Sequence, residues 1–304
     1  VEALVEREAL PRADVRAIVS PYRICPLGAH IDHQGGEGLG RTIDTGTVLS
    51  NKGEGISAEA KNGAIDITVD SVTSELDAIS ADARNGAVAV TVDGAVTSYK
   101  GQAVLAASLN GDVKVDIGSS VSAEGPDGGK GIEATGADGK VDVLVGGSVT
   151  ATGDAVVATT QNGAVNVDVA TNVVSHEGAG IVAQTLSGDV TVKADDVTSE
   201  LTAIDASSNN GIITVTVADV LSGAGSGVIA HSKGNSVSVT LDSLVSQLDG
   251  IDVEAGGGSV VIDVEGTVTS YDGKGVYAEA GDGTLDVTTG AITSKLDALY
   301  AYSS

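Results

Sequence analysis

Apolar and polar residues alternate along most of this chain in short runs that recur every 23 to 28 residues. Each unit opens on an apolar residue and a small one two places on. A turn with Gly follows, then a run such as Ile65-Asp66-Ile67-Thr68-Val69-Asp70, then a tripeptide such as Val72-Thr73-Ser74 and a second turn. Period two over six residues is the pattern of a half-buried strand. In the first unit Ile56, Ala58, Ile65, Ile67, Val69 and Val72 are expected inside, and Ser57, Asp66, Thr68 and Asp70 outside. The same inward set recurs as Val88, Val90, Val92 and Val96, as Val165, Val167, Val169 and Val173, and as Leu285, Val287 and Ile292.

Units open at Ile56, Ile79, Val104, Ile132, Val156, Ile181, Ile204, Val228, Ile251, Val276 and Leu299, in steps of 23, 25, 28, 24, 25, 23, 24, 23, 25 and 23. So regular a period marks a repeat architecture. The expected fold is all-β: a single-stranded β-solenoid, a right-handed β-helix of about ten coils with three short strands each. A short non-repeat α/β segment stands at its front. Neighbouring coils would stack at about 4.8 Å, giving a rod of roughly 50 Å. Residues 1–41 form the front segment and 42–304 the solenoid, with 42–55 already a half coil.

The turns carry their own pattern. Gly63, Gly86, Gly111, Gly139, Gly163, Gly188, Gly211, Gly234, Gly258 and Gly283 mark the first turn, most of them after Asn, Asp or Ser. Positive φ is the expected reason. The second turn comes in two kinds. Leu76, Leu201, Leu248 and Leu296 mark the one that closes coils of 23, and a Gly form such as Tyr271-Asp272-Gly273-Lys274-Gly275 closes longer coils. Glu124–Lys130 is an insertion expected to bulge outward.

Composition agrees with a thin core. Among 304 residues there is no Phe, Trp or Met, and Gly numbers 42. Val, Ala, Ile and Leu alone would have to fill the interior. Of 16 Lys and Arg only 11 lie beyond residue 50, against 35 of 42 Asp and Glu, and the net charge is −26. Such a surface repels phosphate, which argues against a nucleic-acid partner. It also favours solubility of an edge-rich structure. Cys25 is the single cysteine, and no apolar run is long enough to span a bilayer.

Candidate chemistry within the repeat is sparse. His176 and His231 stand apart in sequence and read as solvated turn residues, so no metal site is expected. Asp77, Asp249 and Asp297 share a turn position on non-adjacent coils, which does not suit calcium bridging. Thr214 and Thr216 are too isolated for an ice-binding face. Gly223-Ala224-Gly225-Ser226-Gly227 occupies the slot of Gly273-Lys274-Gly275 and reads as a coil turn, not a phosphate loop. With one Arg, Arg84, and few aromatics beyond residue 50, a polysaccharide lyase site is not expected either. The repeat resembles the passenger regions of bacterial autotransporter adhesins. That resemblance implies a non-catalytic structural or adhesive role at the cell surface or outside the cell, with a cell-surface or glycan partner. No cofactor is implied. The strand Leu299–Ser304 opens an eleventh coil, with Tyr300 and Tyr302 on one side as partial cover, and its edge is expected to associate end to end by strand addition.

The front segment reads differently. Ser20-Pro21-Tyr22-Arg23-Ile24-Cys25-Pro26-Leu27-Gly28-Ala29-His30-Ile31-Asp32-His33-Gln34-Gly35-Gly36 resembles the sugar-binding signature of galactokinase-type GHMP kinases, and galacturonokinase-like members above all. By that resemblance Arg23 would contact the sugar or phosphate, and His30 and Asp32 would hydrogen-bond sugar hydroxyls. Ala29 stands where galactokinases have Glu, and His33 where Tyr is usual; both departures suit acid-sugar members. The phosphate loop, the catalytic Asp and the third Gly-rich motif of that family have no counterpart in this chain. A sugar-1-kinase, truncated and inactive, is therefore the alternative to the structural reading. The front segment is also placed to cover the open edge of the first coil.

Overall fold

The computed structural model describes residues 29–30, 40–126 and 129–304, and these are all strands and turns with no helix. Every strand pairing is parallel and joins one coil to the next. Ten full coils run from Ile56 to Ala298, preceded by the half coil Arg41–Ser50 and followed by the strand Leu299–Ser303. The protein is a β-solenoid of about eleven turns, as its periodicity predicts.

Coil-to-coil register turns equivalent positions into columns. Ile56, Ile79, Val104, Ile132, Val156, Ile181, Ile204, Val228 and Ile251 are consecutive partners, and all are fully buried. Second-strand columns are equally dry, as at Val165, Val167 and Val169. Packing one branched side chain on the next at strand spacing excludes water without aromatic rings. Each buried side chain contributes about 1.5–3 kcal/mol. The half coil joins this register, with Ile43 beside Ile67 and Val48 beside Val72. Leu285, Val287 and Ile292 are only partly buried, because fewer neighbours cover the last coil.

Three strands per coil build two sheets among the described residues. First strands, such as Ile56–Ala60, form a sheet of 12; second and third strands form one of 18. The corner between second and third strands explains the merger. Where it is two residues long the strand can run straight through, as in Arg41–Ser50, Ile65–Ser74, Ile213–Ser222 and Val237–Ser246. Where it is three, as at Asp93-Gly94-Ala95, the strand always breaks. Coil length follows from this corner and the second turn together. A short corner with a short turn gives 23 residues, one longer element gives 24, and both give 25. The second turn alone does not set coil length. In the coil of 28 the insertion begins and ends packed: Gly125 is buried against the Lys100 backbone and Gly129 against Gly101. Pro126 is exposed, and Asp127 and Gly128 lie outside the described residues.

The first-turn glycines serve a different need from the one expected. At Gly86, Gly111, Gly139, Gly163, Gly188 and Gly211 the backbone does not enter the left-handed region. Instead, a Cβ at each would be driven into backbone atoms of the glycine one coil earlier. Close approach, not positive φ, selects Gly there. Gly234 falls one place early, and Asn235 takes the glycine slot, as its amide bond to Ser232 Oγ shows.

Hydroxyls pin the coils at both turns. Ser222 Oγ donates to Leu201 O of the preceding coil at 2.6 Å and accepts the Gly225 amide at 3.1 Å. Ser98, Ser175, Ser208 and Ser270 repeat both contacts. Carboxylates reach the other way. Asp77 Oδ1 accepts the Gln102 amide, Asp154 Oδ1 the Ala179 amide and Asp249 Oδ1 the Lys274 amide, each one coil further on. Asp77 and Asp249 thus tie backbone together. Replacing Ser222 by Ala, which fits the column at Ala123 and Ala151, is expected to cost about 1–3 kcal/mol, because the buried Gly225 amide loses its partner, while the Leu201 carbonyl keeps the Ser199 hydroxyl. Urea denaturation checks this; an unchanged midpoint would show that water replaces the hydroxyl.

Candidate functional site

Outward-facing residues of the 12-stranded sheet also stack in columns. One column runs Gln184, Ser207, His231, Glu254, Glu279, Tyr302. Beside it runs Val182, Asp205, Ile229, Asp252, Tyr277, Tyr300. Toward residue 304 the face is therefore rich in carboxylates around one imidazole. It forms an open groove of about 1060 Å³, whose lining includes Gln184, His231, Lys233, Glu254 and Glu279.

His231 is not a turn residue. It sits in the strand Val228–Ser232, half-buried, with Nε2 3.2 Å from Asp252 Oδ1 of the following coil. Contact with the Asp252 carboxylate raises the imidazole pKa above its ordinary value, against the opposing effect of burial; Glu254 and Asp205 add to the rise. Asp205 is shifted upward too, chiefly by burial, although Gln184 Nε2 donates to it at 3.0 Å. Tyr277 donates to Glu279 Oε2 at 2.7 Å, which raises the phenol's pKa. His231, Asp252 and Glu254 each offer a donor atom, and these lie within 4.8 Å of one another. Sequence spacing alone does not bring these three groups together; coil stacking does.

His176 stays where its sequence put it, exposed in the second turn after Ser175. Tyr300 stacks on Tyr277 of the preceding coil, with ring centroids 4.9 Å apart, and Leu299 is left exposed. Lys274 Nζ stands 4.2 Å over the Tyr277 ring. Gly223–Gly227 is a coil turn, its Gly225 amide held by Ser222 as Gly273 is by Ser270.

Arg23 and Asp32 lie outside the described residues. His30 belongs to the two-residue strand Ala29–His30, which pairs with Ile56 and Ser57 on the edge of the 12-stranded sheet. The front segment thus places two backbone residues on the first coil's edge. The rest of the α/β front segment expected over 1–41, apart from Gly40 and Arg41, also lies outside the described residues.

Fold and columns together define a structural repeat protein, a parallel β-solenoid. Among curated proteins, a stretch of 48 residues is 52% identical to "Galacturonokinase" of Arabidopsis thaliana, covering 16% of this chain and 11% of that protein. The chain thus spans about a tenth of the relative it matches. No known protein family and no solved structure match the chain.

Proposed function

We propose that this chain is a non-catalytic extracellular β-solenoid, a display rod of the adhesin-passenger or filament kind. The carrying observation is how its residues are used. Ten coils stack through an aliphatic interior, while the outward positions are mostly Thr, Ser, Asp and Glu. A thin stack of this kind projects a surface over distance and offers repeated lateral columns to a cell-surface or glycan partner. Its charge of −26 disfavours phosphate-rich partners. The strand Leu299–Ser303 pairs with Val276–Ala280, and its outer edge is where a second copy would add, giving end-to-end association.

A second reading, a sugar-1-kinase of the galacturonokinase type, is favoured by the 48-residue match and by Arg23, His30 and Asp32. One pair of measurements on the full chain separates the two. Light scattering over a concentration series should show mass rising with concentration, and a coupled ATP-turnover assay with galacturonate should show no activity. A constant monomer mass would remove the filament reading. ATP turnover that Asp32→Ala abolishes would replace the structural reading altogether.

A further inference from the structure

Three donor groups converge where the described part of the fold brings an imidazole up against carboxylates. His231 comes from the strand Val228–Ser232; Asp252 and Glu254 come from Ile251–Ala255 in the next coil. Register puts His231 directly beside Glu254, with Asp252 two residues earlier on the same face. His231 Nε2 and Asp252 Oδ1 face each other at 3.2 Å, yet both atoms are shut off from solvent and neither makes an aligned hydrogen bond. Neighbouring polar groups on this face do find partners: Gln184 donates to Asp205, and Tyr277 to Glu279. We propose that His231, Asp252 and Glu254 form a binding site for a divalent transition metal of the Zn²⁺ class.

Distances suit that ion. Zn–N and Zn–O bonds of about 2.0–2.2 Å place tetrahedral donors about 3.3 Å apart. The His231–Asp252 pair already stands at 3.2 Å. The widest separation in the trio, within 4.8 Å, closes by rotation of the Glu254 side chain, which is exposed and free to turn. The backbone need not move, because parallel pairing on both sides fixes each strand. Two carboxylates balance the charge of the ion. The imidazole sets the selectivity: Ca²⁺ and Mg²⁺ prefer six or more oxygens, whereas imidazole suits Zn²⁺ and its neighbours. Asp205 and Glu279, each held by its own partner, keep the surroundings negative without competing as ligands. His231 and Glu254 line the groove, so a fourth coordination position would open onto it.

Zn²⁺ titration calorimetry of the full chain tests the site, with excess Ca²⁺ present to fill weak carboxylate sites. The background variant His30→Ala/His33→Ala removes the imidazoles of the front segment. One equivalent of Zn²⁺ is expected to bind, and His231→Ala and Glu254→Gln are each expected to weaken it by about tenfold or more. His176→Ala should change nothing. Both ligand positions face outward, and unchanged circular dichroism would verify that the variants fold. Imidazole resonances of the parent protein give a readout that needs no variant: His231 should shift on adding Zn²⁺ and His176 should not. Equal Zn²⁺ affinity in parent, His231→Ala and Glu254→Gln, or a His231 resonance that does not move, overturns the proposal.

Discussion

Gly211→Val is expected to split the thermal unfolding of this protein into two transitions. A Cβ on Gly211 would be driven into the Gly188 carbonyl one coil earlier. The obstacle is backbone, so no side chain can swing aside. The neighbouring turns are just as tight, since Gly188 meets Gly163 in the same way and Gly163 meets Gly139. Relief must come from parting two coils, at a cost of about 3 kcal/mol or more. Each coil contacts mainly its neighbours, so stability is close to a sum of coil and interface contributions. A broken central interface leaves two blocks that melt separately. Calorimetry should show the less stable block about 5–10 °C below the parent midpoint. A single transition at the parent midpoint would mean that the turn yields locally and the stack does not depend on this approach.

Position along the stack should decide the cost of losing the same side chain. Ile204 is fully buried between Ile181 and Val228. Ile292 is partly buried and pairs with Val268 on the preceding coil. Ile204→Ala removes contacts on both sides and leaves a cavity that rigid neighbouring ladders cannot fill, so about 2–5 kcal/mol should be lost. Ile292→Ala should cost less than half of that, because solvent already reaches the site. Chemical denaturation of the two variants measures the difference. Equal losses would show that inward columns do not carry the stability.

Much of this architecture was legible because a strand's period of two fixes which side chains point inward. Ile56, Ile65, Ile67 and Val72 could be placed inside from alternation alone, and all are buried. Coil openings followed from the same periodicity. The turn glycines were visible, but their reason was not: a lone sequence does not say that Gly211 lies against Gly188. Ser222 gave no signal of its pinning role, because its acceptor, the Leu201 carbonyl, belongs to another coil. His231 was misplaced as a turn residue because Ser232-Lys233-Gly234 follows it. A signal did exist: one coil of 23 residues beyond His231 stands Glu254, and the strand alternation puts both outside. The signature around Arg23, His30 and Asp32 was legible as a motif, yet Arg23 and Asp32 lie outside the described residues and only the His30 backbone is placed.

The unequal coils would leave a mechanical record. In a stack whose strands lie side by side, pulling on the two chain ends peels coils away one after another, as a zipper opens tooth by tooth. Each released coil of 23 to 25 residues lengthens the tether by about 80 Å at roughly 3.4 Å per residue. The coil that opens at Val104 has 28 residues and would give a longer step, of about 95 Å. In a single-molecule stretching trace that longer step marks how far the tear has travelled. The insertion after Ala123, silent in the packing of the interior, thereby becomes a built-in ruler mark.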